Sequence, residues 1–381
     1  MPETKKSQTT SSVLNFNASW ITMLIFIAYL GGMIFLQRFV YNNIFNSDNY
    51  NYYLFIFVSF LVGIIFGALI YNAFKIIGAK AKGYEIVYSS ILGIRTDHTK
   101  KEKKRSFSIL AIADFSLKFA PKDNDVEKNP RPIFLFGLIG EGIFAVICLV
   151  LFFVLGLNKS ASTTSYIAYM ALFMAIYSLI MPIYEFIPLR QDKPTDYFNL
   201  ATTKSKDEQK CYNIFAINFK NELTGDNFIV PDLEEYVSYY PVHTLYYVYL
   251  DKLYKNELEA AASVLEKMKT NIKKFDESER YLPLMESMYL RYLIDDVAGA
   301  DKVYLTMKGE DKSNITHPQE LGDYRTAISI FANISKDKEA YNKACKEFEE
   351  KSNSLIQSSR VLKEKELFNA VKTSIESKES K

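Results

Sequence analysis

Four long apolar runs interrupt an otherwise polar chain, and each approaches the length a bilayer demands. A helix crossing the hydrocarbon needs about 20 apolar residues, because every backbone polar group must be paired within it. Residues 19–38, 53–77, 132–157 and 164–188 qualify, the last broken near its end by Pro182. Trp20, Tyr41, Tyr52 and Tyr53 lie at the ends of runs, where amphipathic rings suit the membrane interface. No small-residue cleavage site follows the first run, which therefore reads as an anchor rather than a removed signal.

Between the second and third runs the pattern changes. Tyr84–Tyr88 and Phe107–Ile112 are short, aromatic or β-branched, and Phe115–Ala120 is a third stretch of the same kind. A lysine-rich run separates the first two, so residues 83–120 read as a hairpin or small sheet. After about residue 194 the pattern becomes helical and polar. Leu245, Tyr246, Val248, Tyr249 and Leu253 form one stripe; Leu258, Ala261, Ala262, Val264, Leu265 and Met268 form its partner beyond a turn at Asn256. Two further pairs are predicted, Leu284–Leu293 with Val297–Met307, and Tyr324–Ile334 with Ala340–Phe348. These periods are near those of helical-hairpin solenoids, and a plain helical bundle satisfies the same stripes. The stretch from Leu362 to Lys381 alternates charge and reads as a solvated helix or tail.

The predicted fold is therefore mainly α: a membrane domain over residues 1–194 with four transmembrane helices and a small cytoplasmic β region, then a cytoplasmic helical domain over 195–381. Orientation follows from the cations, since lysines and arginines of short loops stay cytoplasmic. Gly78 to Arg131 carries twelve of them, among them the cluster from Lys100 to Arg105, whereas the loop from Tyr41 to Tyr52 carries none. Both termini should then be cytoplasmic. The basic cluster could attract anionic lipid head groups or be a solvated turn.

Composition hides this division. Mean hydropathy is -0.05 and the formal net charge +2, because an apolar half and a charged half cancel; neither figure points to nucleic acid. Cys148, Cys211 and Cys345 show no paired spacing, so a disulfide framework is not expected. Heavy use of Lys, Asn, Ile, Tyr and Phe points to an AT-rich bacterial genome and hence the bacterial cytoplasmic membrane.

The end of the second run reads Tyr71-Asn72-Ala73-Phe74-Lys75. Beyond it come Gly83-Tyr84, the hairpin region, a glycine-containing third run, and a fourth run ending in Glu185-Phe186-Ile187-Pro188, with Asp196-Tyr197 after a short loop. This order, over roughly residues 53–219, resembles the core of the site-2 protease-like membrane metallopeptidases. In that family a His-Glu-x-x-His motif supplies two zinc ligands and a general base, and an Asn-x-x-Pro followed by Asp-Gly supplies the third ligand. Two histidines four apart share one helix face, and the glutamate between them reaches the metal-bound water. Counted from Gly83-Tyr84, those three positions hold Tyr71, Asn72 and Lys75, and an ammonium repels a metal cation. Glu185 stands where the asparagine is expected; Pro188 and Asp196 keep the proline and the acid, and Tyr197 replaces the glycine. His98, His243 and His317 lie outside the membrane runs. The resemblance thus implies a non-catalytic relative, with no metal and no cofactor. Taken without it, Tyr71, Asn72 and Lys75 are ordinary residues of a helix end, with Lys75 snorkelling to the head groups.

Glu141, flanked by Gly140 and Gly142, is an acid at membrane depth, where a charge costs about 3 kcal/mol on insertion scales. Lys75 or Arg190 could pair with it, or it could lie close enough to the surface to be wet. Gly63 and Gly67 would let another helix approach closely. The function expected from these residues is binding of a membrane segment or a protein partner in an accessory or regulatory role, without cleavage. The alternatives are an intramembrane metallopeptidase with atypical ligands including Glu185 and Asp196, and an accessory subunit of a peptide export system.

Overall fold

The structure, a computed structural model of the 381-residue chain, describes residues 51–99, 104–107, 115–156, 163–179, 196–231, 239–275 and 279–379, with isolated positions between 27 and 38 and at 183 and 185. Its element order is α1 (Asn51–Ala81), β1 (Tyr84–Ile91), β2 (Ile94–Asp97), β3 (Lys104–Phe107), β4 (Phe115–Pro121), α2 (Arg131–Gly156), α3 (Thr163–Ser178), α4 (Asp196–Thr202) and α5 (Lys206–Thr224). There follow α6 (Tyr239–Tyr254), α7 (Leu258–Thr270), α8 (Tyr281–Leu293), α9 (Val297–Thr306), α10 (Gly309–Thr316), α11 (Leu321–Asn333), α12 (Lys338–Ser354) and α13 (Ser359–Glu379). The protein is mainly helical, with one small antiparallel sheet.

Two of the described helices are long and apolar enough to cross a membrane, over Ile56–Ala81 and Arg131–Leu155. Of the four spans expected from the sequence, the second and third are met by these two helices among the described residues. The first expected span, 19–38, lies almost wholly outside the described residues. The fourth is described as helix over Thr163–Ser178, and most of the remainder of that expected run lies outside the described residues.

The three apolar helices pack on one another through small residues. A Cβ at Gly63 would stand 2.8 Å from the Tyr177 Cβ, and one at Gly67 2.8 Å from the Ser178 Cα. Both glycines thus admit α3 to backbone distance of α1, as their spacing suggests.

The sheet has four strands in the order β3-β2-β1-β4, each pair antiparallel. The reading from sequence missed β2 and placed a strand over 107–112, of which only Phe107 is described. The physical reason is the turn. Leu92 and Gly93 both take positive φ, 51° and 80°, a two-residue hairpin turn that matches the strand twist. The first hairpin therefore closes at Leu92-Gly93, before the lysine-rich run. The sheet lies along the last two turns of α1, where Ala79 and Ile76 pack against Tyr84, Ile86, Leu117 and Phe119.

Helix α5 closes the other side. Its Cys211, Tyr212 and Ala216 pack with Val87, Ala120 and Phe134. The buried Asn213 accepts from the Tyr84 hydroxyl at 2.8 Å and donates to the carbonyls of Val126 and Lys128 at 2.9 and 2.7 Å. Ser205 and Glu208 form a capping box at its start, and Gly225 ends it in the left-handed region, as helix-end chemistry favours.

Beyond α5 the helices pair as the stripes predict: α6 with α7, α8 with α9, α11 with α12. Each joint turns on a non-glycine residue at positive φ, Asn256, Asp295 and Lys336, the left-handed conformation that ends a helix. One core joins Leu245, Leu253, Leu265, Tyr289, Ile328 and Phe348, and a second, between α8, α9, α10 and α11, joins Met285, Met288, Ala300, Ile315 and Ile330. The chain's last helix corrects the sequence reading. α13 is not solvated: Val361, Phe368, Val371 and Ile375 are buried in the first of these cores, and the Phe368 ring stacks on Phe348 at 3.8 Å. Its alternating charges obscured an apolar face of only one residue per turn.

Candidate functional site

Tyr71 and Lys75 are four apart on α1 and therefore share one helix face. That face meets the N-terminus of α4. The Tyr71 hydroxyl donates to Asp196 Oδ2 at 2.6 Å, and Lys75 Nζ donates to Asp196 Oδ1 at 2.9 Å. The Asp196 main-chain N–H in turn donates to Glu185 Oε2 at 3.0 Å. Tyr71, Lys75 and Asp196 are all buried, at 1%, 7% and 2% exposure. The ammonium is therefore not snorkelling to the surface; it is held inside, opposite a carboxylate.

Room for the node comes from α2. A Cβ at Gly137 would stand 2.8 Å from Tyr71 Cζ and 3.0 Å from Lys75 Cγ, so any larger residue would displace one of the two. Asn72 is buried beside the node but does not join it: its amide donates to the Ala68 carbonyl at 2.8 Å and lies 3.5 Å from that of Phe115. An amide turned back on its own helix is not aimed at anything Asp196 holds. Pro188 lies outside the described residues.

Glu141 sits one turn further along α2 from Gly137. It is 1% exposed, so it is not wet, and neither carboxylate oxygen has a hydrogen-bond partner among the described residues. Lys75, one expected partner, is committed to Asp196; Arg190, the other, is outside the described residues. The Ser178 hydroxyl nearby donates to the Ala175 carbonyl at 2.9 Å.

The donor set does not fit zinc. Tetrahedral zinc sites take thiolates, imidazoles and carboxylates, whereas here the carboxylate of Asp196 is already occupied by an ammonium and a phenol. Among the described residues no three His, Cys, Asp or Glu side chains come together in a metal-binding group. The histidines are engaged elsewhere: His98 with Ser89 at 2.9 Å, His243 with Glu279 at 2.6 Å, and His317 with the Ser313 carbonyl at 2.9 Å.

A second buried polar centre was not anticipated from the sequence. Arg325 of α11 is fully buried, donating to Glu286 of α8 at 3.0 and 3.2 Å and to Glu364 of α13 at 2.8 and 3.2 Å. Tyr249 and Tyr254 of α6 donate to the same carboxylates at 2.8 and 2.6 Å, and the guanidinium lies 4.3 Å from the Tyr289 ring centre. Burial raises the Glu286 carboxyl above its usual range, against the pull of Arg325; burial also opposes the Arg325 charge, but the two glutamates hold its pKa above its ordinary value. The signal available in the sequence was a charged residue standing inside two of the apolar stripes, Glu286 within Leu284–Leu293 and Arg325 within Tyr324–Ile334.

Comparison with protein-family models, with curated proteins and with solved structures finds no match.

Proposed function

We propose that the chain is a non-catalytic, site-2 protease-like membrane protein that binds a membrane segment or a protein partner in an accessory role. The observation that carries this reading is the Lys75–Asp196 pair. In the proposed family a metal cation would sit between the helix-end motif and the later acid; here a lysine from that motif is the cation, attached to the chain itself. The Lys75–Asp196 ion pair joins α1 to α4, with the Glu185 carboxylate beside it accepting from the Asp196 main-chain N–H.

The apolar outer surfaces of α1 and α2 support a membrane setting. Phe57, Phe66, Ile147, Phe153 and Val154 are all at least half exposed, which suits a lipid surround and would be a poor surface in water. On this reading the lysine-rich β region and the α6–α13 helices face the bacterial cytoplasm, and the helical pairs offer a protein-binding surface. Crosslinking in native membranes, followed by affinity purification and mass spectrometry, tests the role. A stoichiometric membrane partner recovered from wild type and lost from Lys75→Met is expected; a protein that comes out alone and cleaves a membrane-segment substrate would overturn the reading.

A further inference from the structure

Glu141 lies where the three apolar helices come closest together. It belongs to the span Arg131–Leu155, is 1% exposed, and has no hydrogen-bond partner at either carboxylate oxygen among the described residues. Its position is fixed from two sides. A Cβ on Gly67 of α1 would stand 3.1 Å from Glu141 Oε1 and 2.8 Å from both the Cα and the Cβ of Ser178 on α3. The carboxyl and Ser178 therefore flank one point on α1, and no side chain separates the helices there. An ionised carboxylate taken out of water needs donors or an opposite charge; without them the group takes up a proton instead.

The hydroxyl beside it discriminates between the two forms. Ser178 Oγ donates its one hydrogen to the Ala175 carbonyl at 2.9 Å, so it has only lone pairs left for Glu141. Lone pairs repel a carboxylate and accept from a carboxylic acid. The other titratable groups on the surrounding helices do not change this balance. Tyr71 and Lys75 of α1 both bond to Asp196, Glu185 accepts from the Asp196 main-chain N–H, and neither Tyr177 of α3 nor Cys148 of α2 makes a hydrogen bond to Glu141. A hard metal cation takes about six oxygens, far more than one carboxyl and one hydroxyl supply, whereas a proton needs a single acceptor.

We infer that Glu141 is a proton-binding site and that its proton holds α3 against α1 and α2. With the proton in place, the acid donates to Ser178 and the crossing at Gly67 closes over a neutral group. Release of that proton to water leaves a carboxylate with no donor at the point where the helices touch, and α3 must then move away or admit water to solvate it. The step is one proton transfer, carboxylic acid to carboxylate, with no other bond made or broken. The inference goes beyond the partner-binding role and stands on the packing of α1, α2 and α3 alone.

Infrared spectroscopy of the full-length protein in phosphatidylcholine vesicles reads the proton directly, because the C=O stretch of a carboxylic acid is separate from both carboxylate bands. The spectrum of wild type minus that of Glu141→Gln should show, in mildly acidic buffer, an acid band that shifts in D2O, and this band should give way to carboxylate bands in alkaline buffer. Thermal unfolding of the same two proteins in detergent reads the packing. The wild-type melting temperature should fall relative to that of Glu141→Gln as the buffer is made alkaline, because the folded state keeps a proton that the unfolded state has released and its stabilisation is lost as pH rises. Carboxylate bands alone in the acidic difference spectrum would show Glu141 ionised and paired, and would overturn the inference. An acid band that persists in alkaline buffer, or one that fades with no change in the melting difference, would overturn the proton's control of packing. Glu141→Asp keeps a carboxyl with a displaced band, so it assigns the signal if Glu141→Gln does not fold.

Discussion

Lys75 and Asp196 stand 121 residues apart in the chain and 2.9 Å apart in space, each buried and each the other's charge partner. This pair ties the end of the apolar helix α1 to the first turn of α4, where the polar half of the protein begins. A buried ion pair contributes little net stability when intact, but removal of one partner strands the other.

Lys75→Met should therefore destabilise the protein by about 3–5 kcal/mol, the usual penalty for an uncompensated buried charge. Lys75→Met combined with Asp196→Asn should recover part of that loss. Thermal unfolding of the four proteins of this cycle in one detergent measures the coupling; additive losses would show that the two residues do not act as a pair.

The Arg325 centre makes the same demand in the helical half, with more at stake because two carboxylates converge on one guanidinium. Arg325→Met should lower stability by at least about 3 kcal/mol, whereas the Tyr254→Phe change should cost only about 1 kcal/mol, one hydrogen bond. Denaturant unfolding compares them. Because Glu364 and Phe368 lie on α13, a chain ending before Ser359 should lose the cooperative unfolding of α6–α12 as well.

Asp323 predicts a pH dependence with a definite sign. Burial pushes its carboxyl up to about 6 from 3.8, although the N–H groups of Glu320 and Gln319 donate to it. Between about 4 and about 6 the folded state then binds a proton that the unfolded state has released, so the stability Asp323 contributes falls as pH rises. Asp323→Asn keeps an oxygen for both N–H donors and cannot ionise. The wild-type minus Asp323→Asn difference in unfolding free energy should therefore decline across that window, by an amount on the order of 1–3 kcal/mol; a difference that grows with pH would contradict the assignment.

Gly67 tests the close approach of α1 and α3. An added Cβ would meet the Ser178 backbone, which cannot rotate away, so Gly67→Ala should cost about 1–3 kcal/mol as overpacking does, measured by thermal unfolding. Gly142, where an added Cβ meets nothing within 4 Å, is the control, and Gly142→Ala should be near neutral.

Periodicity carried the helical pairs of the polar half, because each apolar stripe there faces an apolar cluster and each joint is polar. It failed where burial is decided by partners far along the chain. The charge alternation of α13 resembled a solvated tail because Phe368, Val371 and Ile375 are spaced about one per turn, and Glu364, which looks like part of that tail, is the partner of Arg325. β2 was missed because Ile94-Arg95-Thr96-Asp97 is short and half polar; its pairing is set by the Leu92-Gly93 turn. At the candidate site the sequence pointed to the positions but not to the bonds. Tyr71, Lys75, Glu185 and Asp196 were singled out by their order along the chain, and their convergence is visible in the structure, whereas Asn72 turns away and Glu141 lacks the lysine it could have had. An ordinary helix-end lysine and a buried ion-paired one have the same local sequence; only the contact with Asp196 distinguishes them.

The central claim, that an ammonium of the chain takes the place of a metal at this node, is tested most directly by metal content. Wild type and the Y71H/N72E/K75H variant, each folded by circular dichroism, would be purified from zinc-replete medium and measured by mass spectrometry of the metal. Wild type should carry no stoichiometric zinc, and the variant, with two imidazoles beside a freed Asp196, should carry about one per chain. Stoichiometric zinc in wild type, lost on Asp196→Asn, would contradict the claim and make the protein a metalloenzyme candidate.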